Sequence, residues 1–142
     1  MKKQISIITT IFILLLTSCA SHQKDNNTQL YNTKWELEYI TGPRIAFEAL
    51  FPDNKPFIQF NKSTQQIEGN NSCNGFLADY TLHKNNITIK ETGVTTLRYC
   101  GQGETIFKNT ATKINQYKID ADGKLNLLYN DVVMMRFKKM TP

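Results

Sequence analysis

The side chains with the greatest chemical reach in this sequence are three cysteines, Cys19, Cys73 and Cys100, and two histidines, His22 and His83. A thiol or hydroxyl nucleophile needs a base that takes its proton, most often a histidine. His22 lies in a polar stretch just after Cys19, and His83 falls at the edge of a predicted strand inside no nucleophile or acid–base motif. Two cysteines and one histidine at such scattered spacing match no zinc signature. Nor does spacing place two carboxylates on one rigid element. The sequence therefore predicts no catalytic constellation, no enzyme and no metal or other cofactor.

Cys19 has a different context. Lys2 and Lys3 open the chain, and an apolar run from Ile5 to Leu16 follows, interrupted by Ser6, Thr9 and Thr10. That run is too short for a hydrocarbon core of about 30 Å, which takes roughly 20 helical residues. A basic head, a short apolar stretch and small residues make the layout of a secretory signal peptide. Leu16-Thr17-Ser18-Cys19 resembles the bacterial lipobox, in which the thiol takes a thioether-linked diacylglycerol before cleavage. The resemblance implies cleavage before Cys19 and a membrane anchor of several acyl chains, each buried CH₂ adding about 0.8 kcal/mol. Neutral Ala20 resembles lipoproteins sorted to the outer membrane, while Lys24-Asp25 resembles a surface-export signal only faintly.

Loss of residues 1–18 leaves Cys73 and Cys100 as the cysteines of the mature body. An even number in an exported protein points to a disulfide. Closing a loop of about 28 residues contributes about 3.5 kcal/mol by chain entropy. Two buried free thiols, or a metal pair with His83, are the alternatives. Of the 17 Lys and Arg, Lys2 and Lys3 leave with the leader, so the net charge of +5 falls to about +3. The remaining basic residues are scattered, whereas nucleic-acid binders gather theirs in a stripe or patch. No nucleic-acid partner is expected.

The elements that must position Cys73 and Cys100 are short. Residues 19–31 read as a flexible, polar tether ahead of a body spanning 32–142. Trp35, Leu37 and Tyr39 alternate with Lys34, Glu36 and Glu38, the period of a half-buried strand, which Thr41-Gly42-Pro43 ends. Ile45 to Leu50 fits either a helical turn or a loop beneath the core. Strands follow at Phe57–Phe60, with Pro56 at the edge, at about Gln65–Gly69, and at Phe76–His83. Lys84-Asn85-Asn86 then turns into Ile87–Ile89. Val94 to Leu97 reads as a strand leading to Cys100.

Between Glu104 and Tyr117 the period changes. Phe107, Ala111, Ile114 and Tyr117 line one face of a helix, and Glu104 suits the positive end of its dipole. Asp122-Gly123 and Asn130-Asp131 turn the chain through a last hairpin, Leu125–Tyr129 and Val133–Phe137. Met134-Met135 fits hairpin packing better than a soft-metal site. About eight strands and one late helix make an α+β domain. Its mostly antiparallel sheet should curl into a barrel-like form closed by the single helix.

The order of these pieces resembles the META-domain family, which includes the heat-shock lipoproteins called HslJ. Trp35-Glu-Leu with Gly42 resembles its opening strand. Ser72-Cys73-Asn74, preceded by Gly69 and followed by Tyr80, resembles its Gly-Cys-Asn signature. Thr96-Leu-Arg-Tyr-Cys100 resembles its threonine-to-cysteine element, Glu104 with Phe107 its helix start, and Leu125-Asn-Leu127 its late hairpin. Ser72 stands where the family usually has Gly, and Ala111 where it has Leu. The resemblance implies a non-enzymatic envelope lipoprotein tied to stress response, a binding or stabilising module with an unidentified protein or lipid partner. The alternative is an inhibitor or secretion-pilot-like protein that docks on another exported protein. Trp35 is expected in the core, and Asn74 is expected to satisfy a turn beside the disulfide.

Overall fold

Alternation of apolar and polar residues builds most of this structure, a computed structural model that describes residues 26–31, 33–42, 44–90, 93–94, 98–99 and 101–141. Cys19, Thr96 and Cys100 lie outside the described residues, as does the leader. In chain order the elements are α1 (Asn26–Tyr31), β1 (Lys34–Ile40), α2 (Phe47–Leu50), β2 (Phe57–Asn61), β3 (Gln66–Asn70) and β4 (Gly75–His83). Then come β5 (Asn86–Ile89), β6 (Gly93–Val94), α3 (Gln102–Ala111), β7 (Gln116–Ile119), β8 (Leu125–Tyr129) and β9 (Val132–Lys139). Every described strand pairing is antiparallel.

The strands form one sheet in the order β3-β2-β1-β9-β8-β7-β5-β4-β6, and β3 also pairs with β4. Eight strands therefore close into a ring, with β6 laid along the upper part of β4. This is the mostly antiparallel α+β architecture expected. The ring is thinnest between β5 and β7, where the register holds one pair, Asn86 with Gln116. Backbone bonds from Ile87 to Asn115 (3.0 Å) and from Tyr117 to Asn85 (2.9 Å) hold that seam. Phe107 and Ala111 of α3 face the apolar interior. Ile58, Phe76, Leu127, Met135 and Phe137 meet them there around a residual gap of about 10 Å³. A space of that size is about one water-sized sphere.

Three differences from the sequence expectation have physical causes. The first strand carries a β-bulge: Leu37 pairs with Phe137 and Tyr39 with Arg136, leaving Glu38 as the extra residue. A bulge shifts the alternation by one, so Ile40 is 7% exposed while Tyr39, expected inside, is 40% exposed. The late helix stops at Ala111, where the Thr112 N–H donates to the Lys108 carbonyl (3.1 Å), and Tyr117 lies on β7. Ile114 and Tyr117 are buried as the period required, but Asn115 already donates to Leu128 and the backbone has become strand.

The third difference lies in the expected tether. Its last six residues form α1, and Leu30 there is 0% exposed. The indole of the equally buried Trp35 donates through Nε1 to the Leu30 carbonyl (3.2 Å). Leu30→Ala should therefore lower the unfolding free energy by about 3 kcal/mol in urea titration, the cost of a core leucine. A change below about 0.5 kcal/mol would mean that α1 is no part of the folded body.

Candidate functional site

A turn dense in amides lies between β3 and β4. The Asn71 side-chain oxygen accepts from the backbone N–H of Cys73 (3.3 Å) and Asn74 (2.8 Å), and the Asn71 N–H donates to the Asn74 carbonyl (3.0 Å). This is the local side-chain-to-backbone bonding that makes asparagine a turn residue. Ser72 takes φ 91° inside it. That is the left-handed region in which glycine costs least, so a serine stands in the conformation for which the family uses glycine. Just before the turn, Gly69 lies so close to the Phe57 carbonyl that a Cβ would collide with it.

Asn74 reaches across to the segment that leads to Cys100. Its Nδ2 donates to the Arg98 carbonyl (2.7 Å), and its Oδ1 accepts the Arg98 N–H (3.0 Å). The side chain thus acts as a strand partner for one residue, while the turn itself is satisfied by Asn71 and not by Asn74 as expected. Cys73 Sγ lies 3.5 Å from the same Arg98 carbonyl.

Helix α3 completes the cluster through Glu104, in its first turn. Asn71 Nδ2 donates to Oε1 (3.0 Å), Asn74 Nδ2 donates to Oε2 (2.9 Å), and Lys108, one turn on, pairs with Oε1 at 2.8 Å. Burial pushes the carboxyl pKa up, but the Lys108, Asn74 and Asn71 donors outweigh it and hold Glu104 below the ordinary glutamate range. The helix can sit this close because Gly103 has no side chain. A Cβ there would run into the Leu50 carbonyl and the Phe51 ring. Phe107 packs against Phe76 at 5.6 Å between centroids, beneath the polar cluster.

The family-motif residues therefore divide. Gly69, Cys73, Asn74, Glu104 and Phe107 come together around the turn. Trp35 and Tyr80 are core residues elsewhere, Tyr80 with its hydroxyl donating to the Asn61 carbonyl (3.2 Å). Gly42, φ 111°, ends β1. His83 is exposed at the end of β4. Met135 is fully buried and Met134 packs on the core. Sequence reasoning missed Asn71, fully buried with three bonds, and Lys108. The spacing Asn71-x-x-Asn74 was the available signal. It also missed Asp120, whose carboxylate accepts from the buried Asn126 amide (2.9 Å).

The chemistry of the cluster is that of a clasp: one anion, two amide contacts and one ammonium contact, and a sulfur at the rim. The META-domain family model matches residues 28–141. The chain belongs to the META-domain family. Two solved structures are similar to this META domain. One is an NMR structure of a protein from Burkholderia xenovorans, 20% identical, with TM-score 0.59 over 81% of this chain and 86% of that one. The other is an NMR structure of a protein 21% identical, with TM-score 0.56 over 78% of this chain and 92% of that one. At those identities the likeness is one of fold. No curated protein matches the chain.

The clasp makes the META domain acid-sensitive in a defined direction. A group whose pKa is depressed on folding stabilises fully above its unfolded pKa, and that stability is lost as pH falls through the folded value. Hydrogen bonds to a charged group are each worth about 1.5–3 kcal/mol, so Glu104→Gln should cost about 2 kcal/mol near pH 7. The gap between variant and wild type in urea midpoint should shrink as pH drops below the ordinary glutamate range. A constant gap down to about pH 3 would show that the charge of Glu104 does not contribute.

Proposed function

We propose that this chain is a lipid-anchored, non-enzymatic protein of the cell envelope, held at the outer membrane, whose META domain is a binding or stabilising module in stress response. The observation that carries the anchoring is Leu16-Thr17-Ser18-Cys19 at the end of a basic-headed apolar run. Helix α1 begins seven residues after Cys19, so the folded body follows the acylated cysteine closely. A structural role for the clasp is supported by the use made of its groups. Both oxygens of Glu104 and both amides of Asn71 and Asn74 are engaged with one another, and the gap beside Phe76 and Phe107 beneath them is about 10 Å³.

A disulfide between Cys73 and Cys100 belongs to the same proposal. It is supported by the 3.5 Å approach of Cys73 Sγ to the carbonyl of Arg98, two residues before Cys100. The second reading, a protein that docks on another exported protein, is favoured by Tyr99, which is 88% exposed. It follows Arg98, whose backbone Asn74 fixes on both sides. Tyrosine and arginine are the residue types that dominate interface energetics.

Cys19→Ala should leave an unacylated precursor that stays in the aqueous phase of a detergent partition, whereas the wild type enters the detergent phase. Partition of the variant into detergent would contradict the anchor. Cys73 and Cys100 should resist alkylation in the native protein and react after reduction, read by intact mass. Fast labelling without reductant would remove the disulfide.

A further inference from the structure

Cations on the wall of the ring are matched to carboxylates. Lys124 and Arg136 both reach Glu38 at 2.7 Å, and Lys138 reaches Glu36 at 3.1 Å. The end of the ring that α1 enters is different. Register sets the start of β1, the end of β9 and two turns at that end, since Lys34 pairs with Gln59, Trp35 with Lys139, and Ile119 and Phe137 with Leu125. The turns are 62–65 and 120–124.

Exposed Lys34, Lys62, Lys118 and Lys139 gather there, and among the described residues none has a carboxylate within ion-pair distance. Lys34 Nζ instead sits 3.7 Å from the Phe57 ring centre, and Lys62 Nζ 5.5 Å from that of Tyr31. An aromatic face attracts an ammonium without cancelling its charge. Asp122, Glu68 and Asp79 are the exposed carboxylates nearby, and Asp79 is already matched by Lys90 at 3.9 Å, so the end remains basic. Tyr31, Asn61, Lys62 and Ser63 also frame an open groove of about 350 Å³ at this end.

Chain length decides what this end meets. Seven residue steps separate Cys19 from Asn26, a span of at most about 25 Å even fully extended. A domain of this size has a radius of gyration of about 13 Å, so an acyl anchor on Cys19 holds the α1 end nearest the bilayer.

We propose that the α1 end of the ring is a membrane-facing surface, on which Lys34, Lys62, Lys118 and Lys139 engage the anionic phospholipid headgroups of the bilayer that carries the anchor. This rests on the lipid-anchor reading. It also orients the molecule: the clasp, Arg98 and Tyr99 lie toward the opposite end, at the β3–β4 turn, and face away from the lipid.

The test uses the full lipidated chain on vesicles of phosphatidylethanolamine and phosphatidylglycerol (about 3:1), with phosphatidylcholine vesicles for comparison. After flotation, brief amine acetylation is mapped by mass spectrometry. Lys34, Lys62, Lys118 and Lys139 should react about threefold more slowly on the anionic vesicles. The difference should vanish near 0.5 M salt, where screening is strong. Lys55 and Lys113, toward the other end, should be unchanged. Lys34→Glu, Lys62→Glu and Lys139→Glu together should leave flotation intact and abolish the protection of Lys118. Flotation with equal labelling of all six lysines, or protection that survives the triple change, overturns the orientation and leaves the anchor standing. Failure of the wild type to float overturns the anchor reading and the orientation with it.

Discussion

The hydrogen bond from Asn74 to the Glu104 carboxylate is the joint at which three segments far apart in the sequence are fastened, Arg98 being held by the same Asn74 amide. Asn71 and Asn74 come from the β3–β4 turn, Arg98 from the stretch before Cys100, and Glu104 with Lys108 from α3. None of these groups could be buried alone, because an unpaired buried amide costs about 1–3 kcal/mol and a lone carboxylate more. Together each satisfies another. The arrangement rigidifies a part of the molecule that the sheet leaves weakly tied, since β6, which pairs with the start of β4, is two residues long. A disulfide at Cys73 would reinforce the same place by a covalent route.

Beneath the clasp the fold is conventional in its physics. Most of the described strands present alternate side chains to one interior, and α3 and α1 supply Phe107, Ala111 and Leu30 where the ring needs filling. The bulge at Glu38 is a second polar device. It turns Ile40 inward and leaves Glu38 to two cations, whose hydrogen bonds outweigh the upward push of burial and depress its pKa. Polar groups are thus confined to the outer wall and the turns. Such a molecule offers partners its ends and its rim.

Much of this was legible in the residues, for reasons that can be named. Strands β2, β4 and β5 follow simple alternation, and the Asn130-Asp131 pair, both at positive φ, sets the last hairpin as its composition predicts. The helix start at Glu104 and the apolar contact of Phe107 also agree with their motif. What failed did so where two periods coincide or a local device intervenes. Ile114 and Tyr117 satisfy both a helical stripe and the inward face of the next strand. Burial therefore matched while hydrogen bonding did not. A bulge leaves no reliable mark in alternation, so Tyr39 was expected inside. The six residues of α1, four of them polar ahead of Leu30 and Tyr31, carry no period, and the contact with Trp35 is a tertiary one that no local pattern announces. Asn74 was recognisable, but its bond to a helix 30 residues on was not, because side-chain networks of that range leave no spacing rule.

The clasp is tested most directly by titrating the Glu104 carboxyl carbon by NMR while following the side-chain amide protons of Asn71 and Asn74. The account predicts a Glu104 midpoint below the ordinary glutamate range, with both asparagine amides shifting at that same midpoint. A midpoint at or above that range, with amide signals that ignore it, would contradict the interaction on which the rest of the structure is argued to depend.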